Sequence, residues 1–127
     1  MRLIKPTVIV TALITGLLMS TLAQAHPKLL ASTPAEGAEG APPDKIELHF
    51  SENLVTQFSG AKLLMTEMAG MAHAPMPVKA KVSGGSDPKT MLITPTAPLV
   101  AGTYKVEWRA VSSDTHPITG NVTFNVK

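Results

Sequence analysis

The 127-residue chain contains no cysteine. That absence excludes a disulfide framework, a thiolate metal site, a Cys nucleophile and a blue-copper electron-transfer centre, which needs a Cys ligand. There is no run of lysine or arginine, so nothing in the charge pattern points to nucleic acid or an anionic membrane. No Gly-rich phosphate loop is present, nor a Ser/His/Asp spacing that suggests nucleophilic catalysis. Aromatics are scarce: one Trp, one Tyr and three Phe.

Residues 1–25 read as a cleaved secretory leader. Arg2 and Lys5 make a basic start, 7–22 is apolar, and Ala23-Gln24-Ala25 is a small-x-small cleavage site. The apolar run of about 16 residues is short of the roughly 20 that span a bilayer, so stable membrane insertion is not expected. Cleavage after Ala25 leaves 26–127 as one domain, large enough for a single core. The formal charge of +2 then disappears, because Arg2 and Lys5 leave and nine basic residues face nine acidic ones.

The body reads as all-β. In 45–50, Ile46, Leu48 and Phe50 alternate with polar residues, and in 103–111 Tyr104, Val106, Trp108 and Ala110 do the same. Val122, Phe124 and Val126 share a face in 121–126. This is the period of half-buried strands. Shorter candidates are 28–32, 60–66, 78–82 and 90–94. Breakers separate them, among them Pro42-Pro43, Gly84-Gly85 and Pro117 with Gly120. About seven short strands predict a Greek-key β-barrel or sandwich of immunoglobulin-like or cupredoxin-like form.

Four of the seven methionines, Met65, Met68, Met71 and Met76, crowd into twelve residues, with His73 among them. A thioether is a soft, neutral donor with no proton to lose, which suits Cu(I) and suits hard ions poorly. The first three are spaced at three, as on one helix face. However, Gly70, Pro75 and Pro77 interrupt the segment, and no leucine, isoleucine, valine or aromatic follows Leu64 within it. An open, flexible methionine loop is expected there. Packing or a partner surface is the alternative use of such residues.

Cleavage after Ala25 also makes His26 N-terminal, with an α-amine and a ring Nδ1 that can chelate one metal. Pro27 has no N–H and ends the chelate there. Further donors must come from elsewhere, and Asp114-Thr115-His116-Pro117 is a plausible supplier. Pro117 biases His116 toward an extended conformation, which would turn Asp114 and His116 to the same side. Imidazole, amine and carboxylate together suit tetragonal Cu(II). Taken alone, His116 suits a loop histidine and Asp114 a turn cap. It is the combination with His26 that favours a metal. His49, on the polar face of its strand, reads as a surface histidine.

With these motifs in place, the chain resembles the periplasmic copper-resistance proteins of the CopC/PcoC family over nearly all of 26–127. The resemblance rests on His26-Pro27, Phe50-Ser51-Glu52-Asn53-Leu54, Phe58-Ser59-Gly60-Ala61-Lys62, the 65–76 cluster and Ala101-Gly102-Thr103-Tyr104-Lys105. Its longest and most specific block runs from Trp108-Arg109-Ala110-Val111 to Thr119-Gly120. What it implies is a small Greek-key domain with copper sites at opposite ends. The Cu(I) site would draw on Met65, Met68, Met71, His73 and Met76. The Cu(II) site would use His26, Asp114 and His116, with the Glu52 carboxylate nearby. It further implies a carrier and sequestering protein, not an enzyme, with an inner-membrane copper transporter and a multicopper oxidase as partners.

Two other readings belong to different classes. An N-terminal histidine with a second histidine also resembles the copper brace of oxidative polysaccharide-cleaving enzymes. Those enzymes present exposed aromatics, whereas Trp108 and Tyr104 fall on the core face here. A structural β-sandwich module with incidental methionines would retain no copper at all.

Overall fold

The computed structural model describes residues 26–127, so the expected leader at 1–25 lies outside the described residues. Nine strands follow one another: β1 (Leu29–Thr33), β2 (Glu39–Gly40), β3 (Ile46–Phe50), β4 (Gly60–Met68), β5 (Met71–Val78), β6 (Ala80–Gly84), β7 (Thr90–Pro95), β8 (Gly102–Val111) and β9 (Pro117–Val126). They form two sheets, a four-stranded one in the order β1-β3-β7-β6 and a five-stranded one in the order β2-β9-β8-β4-β5. All pairings are antiparallel except the short parallel contact of β2 with β9. No helix occurs among the described residues.

Alternation decides which side chains meet between the sheets. Ile46, Leu48 and Phe50 from β3 and Met91 and Ile93 from β7 face Leu63, Met65, Tyr104, Val106, Trp108, Val122 and Phe124 from the larger sheet. Phe50 meets Trp108 edge to face at 5.1 Å between ring centroids, a favoured aromatic geometry. Tyr104 stacks on Phe124, and its buried hydroxyl donates to the Val100 carbonyl at 2.6 Å. The expected all-β sandwich is therefore present.

Two strands exceed the expected seven. The two-residue β2 lies among the breakers after Gly37. More consequentially, the segment expected to be an open methionine loop is the outer half of a hairpin. Residues Met71–Val78 pair with Gly60–Met68 in the registers Met65–Met76 and Met68–Met71, with an irregularity after Met65. Pro75 and Pro77 are tolerated because β5 is the edge strand and donates hydrogen bonds on one side only. Ala69 and Gly70 close the hairpin with φ of 52° and 79°, the two positive values of a type I′ turn.

Glycine takes that conformation freely, but Ala69 pays for its Cβ at about 1 kcal/mol. Ala69→Asn should therefore raise the stability of the protein by roughly 0.5–1 kcal/mol. The shift will show in the midpoint of chemical denaturation. An unchanged midpoint would mean that the turn stores no strain.

Candidate metal centre

Three donors gather at one end of the sandwich. His26 precedes β1 and is pinned there. Pro27 beside it is fully buried, and just past β3 Ser51 donates its backbone N–H to the Lys28 carbonyl and accepts the Lys28 N–H on its hydroxyl, each at 2.9 Å. Asp114 and His116 sit in the connection from β8 to β9. The ligand atoms of His26, Asp114 and His116 all lie within 4.8 Å of one another, a spread that one ion can bridge after small side-chain adjustments. The Nδ1 of His26 faces Oδ2 of Asp114 directly. Both atoms are buried, and neither has another hydrogen-bond partner among the described residues. The His26 and His116 rings are 5.7 Å apart.

The convergence of Asp114 and His116 has a different origin from the extended chain expected. Residues 112–116 form a turn, in which the Thr115 N–H reaches the Ser112 carbonyl at 2.9 Å and Thr115 takes a left-handed φ of 64°. A β-branched residue rarely adopts that conformation. Asp114 Oδ1 accepts from the His116 backbone N–H and from the Ser112 hydroxyl, both at 3.2 Å. Burial pushes the Asp114 carboxyl up, but these two hydrogen bonds and the His26 ring outweigh it and hold the group below the usual carboxylate range. Asp114 is thus kept as an anion, the form in which a carboxylate binds metal. Sequence reading missed Ser112 and Thr115. The only signal was their place beside Asp114 in a long motif.

Glu52 follows Ser51, which is bonded to Lys28, but it is not one of the three clustered donors. His49 stands elsewhere. It is half-buried, with Nδ1 at 3.1 Å from the Thr90 hydroxyl and Nε2 at 3.5 Å from Glu47.

The methionines lie at the other end. Met65 pairs across β4 and β8 with Tyr104, whereas Val111 leads into the turn that holds Asp114. At about 3.4 Å per residue, the length of β8 puts roughly 27 Å between Thr103 and Val111. Directly opposed residues in a hairpin have Cβ atoms about 4.5–5.5 Å apart, so Met65–Met76 and Met68–Met71 are two facing thioether pairs. Met65 is buried in the core, while Met68, Met71 and Met76 are exposed. His73 falls between the pairs. Its Nδ1 donates to the Ala74 carbonyl at 2.7 Å, which leaves Nε2 as the lone-pair nitrogen. That atom is buried without a hydrogen-bond partner among the described residues.

Comparison with known proteins agrees over the whole domain. Residues 29–127 match the family model of the CopC domain. Copper resistance protein C of Pseudomonas syringae pv. tomato is 74% identical over 125 residues, covering 98% of this chain and 99% of that one. Copper resistance protein C of Escherichia coli is 56% identical over the full length of both. The crystal structure of PcoC, a methionine-rich copper resistance protein from Escherichia coli, superposes with a TM-score of 0.76 at 63% identity, covering 81% of this chain and all of that one. A two-sheet fold, donors at both of its ends and relatives that match from end to end lead to one assignment: the chain belongs to the CopC family.

Proposed function

We propose that this protein is a periplasmic copper carrier that sequesters copper and passes it on, with each valence held at its own end of the sandwich. The observation that carries this reading is the convergence of His26, Asp114 and His116 from the two ends of the domain onto one point. Removal of 1–25 would add the His26 α-amine to that set. Two imidazoles, an amine and a carboxylate make a nitrogen–oxygen donor set for Cu(II). Asp114, already anionic, orients the His26 ring and offsets the charge of the cargo. Glu52, next to the Ser51 that bonds Lys28, would assist at the rim.

Cu(I) is assigned to Met65, Met68, Met71, Met76 and His73. The His73 Nε2 lone pair, buried without a partner, is a donor waiting for an acceptor that is not a proton-bearing group of the protein. An edge hairpin with three exposed thioethers favours handover, since an incoming donor can replace one sulfur at a time. Recipients of this kind would be an inner-membrane copper transporter and a multicopper oxidase.

X-ray absorption of the cuprous form tests the assignment. Cu–S scattering at about 2.3 Å is expected, the usual first-row metal–sulfur distance. A shell made only of nitrogen and oxygen would sink the soft site. Intact mass of the secreted protein with copper bound reports the cleavage point and the metal count together.

A further inference from the structure

The methionines of the folded domain fall into two groups by exposure. Met71, Met76 and Met68 are 73, 52 and 47% exposed, whereas Met65 and Met91 are 6 and 3% exposed. The boundary runs through the thioether cluster itself. In the pair nearer the turn, Met68 and Met71 are both open to solvent, and in the next pair only Met76 is.

We propose that Met68, Met71 and Met76 form a reversible sulfoxidation site for peroxide or hypochlorous acid, one that gates the Cu(I) donors, while Met65 and Met91 stay reduced. With peroxide, the sulfur lone pair attacks one oxygen, an S–O bond forms and the O–O bond breaks. Sulfur gives up two electrons. The departing hydroxide takes the proton of the transferred O–H and leaves as water. Hypochlorous acid reacts likewise and leaves as chloride and a proton.

The product is a polar sulfoxide whose oxygen is a hard donor, so it no longer offers Cu(I) the soft lone pair. The gating consequence rests on the Cu(I) assignment above, but the order of oxidation does not. Exposed side chains on an edge strand accept the added oxygen without loss of packing. The same change at Met65 would put an unpaired polar group among Leu63, Tyr104 and Val106. The fold therefore confines the modification to positions where it is reversible. Loss of the three exposed sulfurs leaves Met65 and His73, too few soft donors for tight binding.

Limiting hydrogen peroxide applied to the folded, metal-free protein, followed by peptide mass mapping, tests the site. Met71, Met76 and Met68 should oxidise at least about tenfold faster than Met65 and Met91, and this difference should vanish in denaturant. The oxidised protein should lose at least about tenfold in Cu(I) affinity against a competing chelator, and methionine sulfoxide reductases should restore it. Cu(II) affinity should not change. Oxidation of Met65 as fast as Met71 in the folded protein would overturn the site. Undiminished Cu(I) affinity after oxidation would overturn the gate. If the unoxidised protein binds no Cu(I), it is the soft-site assignment that fails, and the peptide map still decides the site.

Discussion

His116→Ala lowers the affinity for Cu(II) at least about 100-fold, equivalent to roughly 2.7 kcal/mol, and leaves Cu(I) binding unchanged. The direction follows from the proposed donor set, in which His116 would supply one of the few nitrogens. The selectivity follows from placement, because the methionine hairpin is at the far end of β8. Stability should hold, since His116 is exposed and its contribution to the turn is a backbone N–H bonded to Asp114, which alanine retains. A chelator competition read through Trp108 emission gives the number, with thermal unfolding as the control. A stoichiometric quench that survives the substitution would remove His116 from the site. Acid should weaken binding, because protons compete for every donor. Asp114, with its lowered pKa, keeps its charge further into acid than an ordinary aspartate.

How much of this could be read from the residues alone depended on whether burial was one-sided. Strands β3, β8 and β9 bury one face and expose the other, so Leu48, Trp108 and Phe124 announce themselves by period two. β5 is exposed over most of its length and carries two prolines, so it has no period to read. Its strand character comes from its partner β4 and from the two positive φ values at Ala69 and Gly70, which are decided by closure of the hairpin. The same partner settles Met65. In sequence it is one methionine of a cluster, but it lies two residues after Leu63 and so shares the core face. At the other end, residue chemistry sufficed to nominate His26, Asp114 and His116, because few side chains bind copper. It did not suffice to say how they meet. The left-handed Thr115 and the Ser112 hydroxyl fix that geometry, and neither residue type signals such a role.

Gly120→Ala destabilises the protein by about 3 kcal/mol, the upper part of the range for overpacking a core. Gly120 is opposite Trp108 in the β8–β9 ladder. A Cβ there would lie 2.4 Å from Cζ2 of the indole and 2.8 Å from Cε2, far inside contact distance. Phe50 abuts the ring edge to face, so moving the indole aside would break that contact. Its N–H has no hydrogen-bond partner among the described residues, so packing alone holds it in place. For a domain of this size the melting temperature should fall by about 12–24 °C. Gly60→Ala is the control, since a Cβ at that position meets nothing within 4 Å. Trp108→Leu placed in the Gly120→Ala background should recover part of the loss, a coupling that a double-mutant cycle isolates. A melting temperature within a few degrees of the parent protein would show that β9 can shift to make room. That shift would carry its own consequence, because β9 begins at Pro117, next to His116. A displaced strand would move that imidazole relative to His26 and Asp114, and Cu(II) affinity would fall in its place. The clash at Gly120 is thus expected in stability or, through the proposed Cu(II) site, in copper affinity, and both are read on the same variant.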